Sequence, residues 1–241
     1  MSKTVASIDE RTINQFKQAA ANSAVAQLRD GMVVGLGSGT TATLAVEAIG
    51  RRVKEGLRII GIPTSEQIAD QARLLNIPLS TLEDHCAIDM TIDGADEVEE
   101  GTLNLIKGGG GNLLREKIVA VASSRMIVVV DERKVTSQLG SHSLLAVEVI
   151  PFGWRTTAKR LEKAGAHPAL RVGSDKRIFL TDGGHYILDC AFGPINSPQR
   201  LQADLDSIVG LVEHGLFIGI AYQVLVGGPA GVRILNRKID P

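Results

Sequence analysis

Residues 32–44 read Met32-Val33-Val34-Gly35-Leu36-Gly37-Ser38-Gly39-Thr40-Thr41-Ala42-Thr43-Leu44, and their order decides the fold. Met32 to Leu36 is a short apolar run of the buried-strand type. Gly37-Ser38-Gly39 permits a sharp turn, and Thr40 to Glu55 resumes a helical pattern. Upstream, Ser7-Ile8-Asp9-Glu10 has the form of a capping box and predicts a first helix that Gly31 can close. Downstream, strands at Leu57 to Ile62, Ala87 to Ile92, Leu103 to Ile106 and Met126 to Val130 are interleaved with helices at Ser65 to Leu75 and Asn112 to Ser123. Such alternation implies parallel βαβ units in a doubly wound sheet.

After about residue 140 the rhythm changes. A strand at Val147 to Ile150 leads to a helix at Arg155 to Ala164, then to strands at Ala169 to Val172 and Tyr186 to Ala191, hairpin-linked near Asp182-Gly183-Gly184. Ser197 caps a further helix with Pro198 at its first position, and Val212 to Phe217 is the last strand of the segment. The order β-α-β-β-α-β is that of a ferredoxin-like unit. Gln223 to Val226 and Val232 to Ile234 then return as strands to the first domain. The expected architecture is α/β: a Rossmann-like, mostly parallel sheet built from residues 1–139 and 218–241, interrupted at 140–217 by a small ferredoxin-like α+β domain. Phe152 and Trp154 are expected to pack the hinge.

The bulk composition agrees with this and excludes several classes. The 241 residues are 44% hydrophobic but only 3% aromatic, so the core is aliphatic, as in buried parallel strands under helices. With 26 Lys plus Arg against 27 Asp plus Glu, the net charge of −1 argues against a general nucleic-acid binder. Cys86 and Cys190 form no CxxC pair, which favours a reducing cytoplasm over a disulfide framework. No signal-peptide core is evident, and no apolar run approaches the roughly 20 residues that span a bilayer.

Four motifs carry chemistry. In the opening stretch, the glycines, the free N–H groups of a helix amino terminus and the hydroxyls of Ser38, Thr40 and Thr41 suit an anion. A plain tight turn competes with that reading. A dinucleotide site is disfavoured, because the second strand ends in Ile62-Pro63-Thr64 without the acidic residue that would hold a ribose. Asp93-Gly94-Ala95-Asp96-Glu97 follows a strand where ligands gather in open sheets, although alone, with Glu99 and Glu100 nearby, it reads better as an acidic turn. A metal is not expected, since the five histidines are scattered.

Lys107-Gly108-Gly109-Gly110-Gly111 is harder to explain without a ligand. Four glycines between a strand and a helix carry a large backbone-entropy cost, which a loop wrapped around a ligand accounts for. Lys107 beside them is a cation for an oxyanion or phosphate oxygen. In the following helix Glu116 shares a stripe with Leu113, Val119 and Ala120. It therefore faces inward, where a carboxylate tends towards a raised pKa and suits a general base. Pairing with a basic residue is the competing reading. Lys134 by itself would be a solvated surface charge.

Taken together, these motifs resemble the type A ribose-5-phosphate isomerase family. The resemblance is carried by Gly37-Ser38-Gly39-Thr40-Thr41-Ala42, by Asp93-Gly94-Ala95-Asp96-Glu97, and by Lys107-Gly108-Gly109-Gly110-Gly111 with Leu114-Arg115-Glu116-Lys117-Ile118. Val147-Glu148-Val149-Ile150-Pro151-Phe152-Gly153 and Gly215-Leu216-Phe217-Ile218-Gly219 extend it over nearly the whole chain. Ala146, Asn112 and Tyr222 depart from the family's pattern without removing a catalytic group. The resemblance implies cofactor-free aldose–ketose isomerisation of a sugar phosphate, with Glu116 as base and Lys107, Asp93 and Asp96 as its partners. It places substrate contacts at Ser38, Gly39, Thr40, Thr41, Asp93, Gly94, Ala95, Asp96, Lys107, Gly108, Gly109, Gly110 and Lys134. A homodimer or homotetramer is implied as well, with no metal, nucleic-acid or membrane partner. A sugar-phosphate sensor and a coenzyme A transferase or amino-sugar deaminase of similar architecture are the rival classes.

Overall fold

The computed structural model describes residues 9–237. In chain order its elements begin with α1 (Glu10–Val25), β1 (Val33–Leu36), α2 (Thr40–Lys54), β2 (Ile60–Pro63), α3 (Glu66–Leu74) and β3 (Met90–Asp93). There follow β4 (Glu97–Glu99), β5 (Leu105–Ile106), α4 (Leu113–Val121), β6 (Met126–Asp131), a 3-10 turn (Glu132–Lys134) and β7 (Val135–Thr136). The chain continues through β8 (Leu145–Val149), α5 (Trp154–Lys163), β9 (His167–Leu170), β10 (Tyr186–Ala191), α6 (Pro198–Asp206) and β11 (Leu211–His214). It ends with β12 (Leu216–Phe217), β13 (Ala221–Gly228) and β14 (Gly231–Asn236).

The main sheet has the order β14-β13-β6-β3-β1-β2. All its neighbours are parallel except the β13–β14 hairpin at one edge. Alternate residues of β6 serve opposite faces, as the two-residue period of a strand requires. Ile127 and Val129 pack with α1, α2 and α3 on one side, while Met126, Val128 and Val130 face Ala120 of α4 and Phe217 on the other. Both faces being covered explains why the strand reads as an unbroken apolar run.

The second sheet, β11-β8-β10-β9, is antiparallel throughout, with α5 and α6 between its strands in sequence. That is the ferredoxin-like unit expected within residues 140–217, its first strand running over Leu145–Val149 rather than Val147 to Ile150. A third sheet, β12-β5-β4-β7, is not expected as a sheet, and it takes β5: the strand expected at Leu103 to Ile106 among the parallel strands pairs antiparallel with β4 and β12 instead of joining the main sheet. Its existence corrects the single strand expected at Val212 to Phe217, which divides at Gly215. β11 pairs with β8, whereas β12 pairs with β5. At the break Gly215 donates to Ala146 O (2.8 Å) and accepts from Lys107 N (2.9 Å), so the exchange of partners occurs beside Lys107.

Several local expectations change. The first helix stops at Val25 rather than running to Gly31, with Ala26 as C-cap. Gly31 (φ +84°) instead makes the turn into β1, donating to Arg58 O. Its amino-terminal cap is Asp9, whose carboxylate accepts from Thr12 N (2.7 Å); the Ser7 of the expected capping box lies outside the described residues. Ser197 precedes α6 with Pro198 at the first turn, but its side chain makes no capping hydrogen bond. Trp154 packs into the small-domain core, whereas Phe152 is 94% exposed and packs no hinge. No helix among the described residues is long and apolar enough to cross a membrane.

Candidate active site

Parallel strands β1 and β3 end side by side, and their carboxyl ends carry Gly37 and Asp93. A Cβ on Gly37 would lie 2.2 Å from Asp93 Oδ1, so only glycine admits the carboxylate there. Asp93 is completely buried, and its Oδ1 accepts from Ser38 N (3.1 Å) and Gly94 N (2.7 Å). Its other oxygen faces Lys107.

Lys107, 3% exposed, follows β5 and reaches back across the ends of the main sheet. Its Nζ donates to Gly94 O (2.7 Å) and stands 3.1 Å from both Asp93 Oδ2 and Glu116 Oε2. Those two carboxylate oxygens have no hydrogen bond of good direction; the short approach to Lys107 is a charge contact. The Phe217 ring lies below the ammonium at 5.5 Å and below that of Lys117 at 5.0 Å, an apolar floor with an electron-rich face between two cations.

Glu116 sits on the buried stripe of α4 with Leu113, Val119 and Ala120, as its spacing indicates. Two buried carboxylates share one ammonium, and the electrostatics follow from that count. Burial raises the Glu116 carboxyl to about 8, Lys107 opposing and Asp93 and Asp96 adding to the rise. Burial also raises Asp93 against the pull of Lys107. Burial works against the Lys107 charge, but Asp93, Glu116 and Asp96 outweigh it and hold the ammonium protonated. Near neutrality the cluster therefore favours a proton on one of its buried carboxyls.

One cavity gathers nearly all the residues singled out in the sequence. Its walls are Ser38 to Thr41, Gly94 to Asp96, Lys107 to Gly110, Glu116 and Lys134. Asp93 is the exception: it stands behind Lys107 and does not line the cavity. Asp96 does line it, and is fixed by accepting from Gly109 N (2.8 Å). Ser38 contributes less hydroxyl than its position suggests, because its Oγ bonds to Thr64 Oγ1 (2.7 Å) and Ser65 Oγ (3.0 Å) inside the protein. Lys134, read alone as a surface charge, lies on the wall.

Another part of the cavity wall is the amino terminus of α2. Gly39 precedes the helix without a side-chain cap, and no acidic residue occupies the first turn. Its N–H groups and dipole suit an anion. A residue absent from the sequence reading joins them: Lys17 of α1, whose Nζ donates to Thr40 Oγ1 (3.1 Å). Partial burial lowers its pKa, with Arg133 and Lys134 adding to the effect and Asp131 opposing it. Cations thus gather beside Thr40, and the Glu116 carboxyl stands beside the Lys107 ammonium in the same cavity wall.

The profile of ribose 5-phosphate isomerase A (phosphoriboisomerase A) matches residues 60–231. This chain belongs to that family. A ribose-5-phosphate isomerase A of Gloeobacter violaceus is 55% identical over 226 residues, covering 94% of this chain and 98% of the relative. Among solved structures, ribose 5-phosphate isomerase A of Methanocaldococcus jannaschii superposes with a TM-score of 0.89 at 41% identity, covering 92% of this chain and 99% of that one. A D-ribose-5-phosphate isomerase in complex with phospho-erythronic acid gives 0.90 at 38% identity, covering 93% and 99%. The ribose 5-phosphate isomerase A fold thus spans both the main sheet and the insert.

Proposed function

We propose that this chain interconverts D-ribose 5-phosphate and D-ribulose 5-phosphate through a cis-enediolate, with Glu116 as the base. The observation that carries the reading is the Lys107 ammonium held 3.1 Å from the raised carboxyl of Glu116, at the wall of a cavity also lined by Thr40, Thr41 and Lys134, with Lys17 bonded to Thr40. Glu116 removes the proton from C2 of the open-chain aldose and returns it to C1, while a hydroxyl proton passes from O2 to O1. Lys107 stabilises the developing oxyanion, a charge present in the transition state and not in the ground state. Asp96 orients substrate hydroxyls. Asp93, buried behind Lys107, acts by positioning the ammonium. The phosphate rests at Thr40 and Thr41, with Lys17 and Lys134 as its counter-charges.

The same reading takes residues 1–139 and 218–241 as the catalytic domain and 140–217 as its insert. It also takes the protein to be a cytoplasmic homodimer or homotetramer, a state supported by apolar side chains left on the surface such as Phe152 and Val209. The test follows ribulose 5-phosphate formation from ribose 5-phosphate in deuterium oxide, with chelator and no added cofactor. Turnover with solvent deuterium entering C1 is expected. A folded protein without turnover would overturn the assignment.

A further inference from the structure

The glycine loop is held from outside by the insert. Arg171, just beyond β9, donates from Nη1 to Gly108 O (2.9 Å) and to Gly109 O (3.1 Å). Its Nε donates to Asp189 Oδ2 (2.9 Å), and its Nη2 bonds to the other oxygen of that β10 carboxylate. The guanidinium also lies 5.7 Å from the centre of the Phe179 ring. That ring packs so closely under the loop that a Cβ on Gly111 would come within 2.4 Å of it. Arg171, Asp189 and Phe179 of the insert therefore form a three-residue clamp on the outer side of Lys107-Gly108-Gly109-Gly110.

A trans peptide points its carbonyl and the following N–H in opposite directions. With Gly108 O turned outward to Arg171, Gly109 N–H must point inward, and it does, donating to Asp96 Oδ2 (2.8 Å). With Gly109 O turned outward to the same nitrogen, Gly110 N–H is aimed to the same inner side, where Gly110 lines the cavity. Four glycines in sequence have little intrinsic preference for these peptide orientations; Gly111 N–H donates to Gly108 O (3.0 Å) within the loop, and Arg171 adds a donor to Gly108 O and holds Gly109 O from outside.

We propose that Arg171 is a positioning residue for the reaction: by holding two carbonyls it orients the loop so that Asp96 is fixed and Gly110 N–H is presented to the oxygen that gains charge at the reacting carbons. The role rests on the isomerase reading above and adds to it a contribution of the insert to catalysis. A misplaced donor or orienting carboxylate costs transition-state stabilisation more than ground-state binding.

The experiment uses the whole protein, Arg171→Met and Arg171→Lys. Methionine keeps the length of the stem without a donor; lysine restores one donor but not the fork to Asp189. For Arg171→Met, kcat is expected to fall about 10- to 100-fold with KM within threefold. The affinity for phospho-erythronic acid should fall in parallel with kcat, while the affinity for inorganic phosphate stays within twofold. Arg171→Lys should recover part of kcat. If Arg171→Met does not fold, Asp189→Asn carries the test, with the same pattern at smaller amplitude expected. A folded variant with kcat within twofold of the parent, or with kcat and phosphate affinity falling together, overturns the proposal. An inactive parent would instead overturn the isomerase reading, which keeps the two failures separate.

Discussion

Lys107 Nζ stands 3.1 Å from Glu116 Oε2, although the two residues come from opposite ends of a four-glycine loop. The loop exists to make that meeting possible while leaving its own backbone on the cavity wall. Glu116→Gln keeps the shape and removes the base. Its turnover is expected to fall about 10²–10⁴-fold or more, with sugar-phosphate binding retained. Steady-state kinetics beside a direct binding measurement check this; near-normal turnover would sink the assignment of the base.

The base must be ionised to act, and burial holds it near 8 in the free protein. kcat/KM is therefore expected to rise tenfold per pH unit well below that value and to level off above it. A pH profile from 6 to 9 reads this directly. A flat profile across the range would mean that Glu116 is already ionised at pH 6.

The same shift acts on stability with the opposite sense. Glu116 binds a proton more tightly in the folded protein than in the unfolded chain, whose value is 4.5. Its contribution is fully present below that value and is lost as pH rises through about 8. Gln at this position does not titrate. The melting temperature of Glu116→Gln relative to the parent should therefore increase from pH 5 to pH 8.5; a constant difference would count against the raised carboxyl.

Lys17 bonds to Thr40 Oγ1 (3.1 Å) on the cavity wall. Lys17→Met is expected to raise KM for ribose 5-phosphate about 10- to 100-fold, the worth of a hydrogen bond to a charged group. kcat should change far less. A drop in kcat at unchanged KM would place Lys17 outside phosphate binding.

Gly37→Ala tests the packing under the site. The new methyl would fall 2.2 Å from Asp93 Oδ1, displacing the carboxylate that positions Lys107. A stability loss of about 1–3 kcal/mol is expected, as for other overpacked cores, together with reduced kcat. Unchanged melting and turnover would show that β1 and β3 can separate at little cost.

The sequence makes some of this site plain and conceals the rest, for physical reasons. Glu116 is legible because helical period alone sets it among Leu113, Val119 and Ala120. The glycine run is legible because its entropy cost is local. Asp93 and Asp96 look equivalent in the chain, yet one is sealed behind Lys107 and the other lines the cavity; only packing against Gly37 separates them. Lys17 is hidden because its partner Thr40 is 23 residues away on another helix. The third sheet is hidden because β4 and β7 are only three and two residues long, too short for any period to register, and because β5 and β12 read as parts of the strands Leu103 to Ile106 and Val212 to Phe217 with no sign of their pairing.

The division of the last insert strand at Gly215 has a mechanical consequence. Chain enters the insert past Ala146 and leaves it past Gly215, and these two residues bond to each other while Gly215 also bonds to Lys107. Both crossings thus lie beside one point, and a swing of the insert about it would have to break the contacts of Asp182 with Glu66 N and Arg115. Such a swing would carry Arg171 and the outer side of the glycine loop through an arc. The ammonium of Lys107, close to the axis, would scarcely travel.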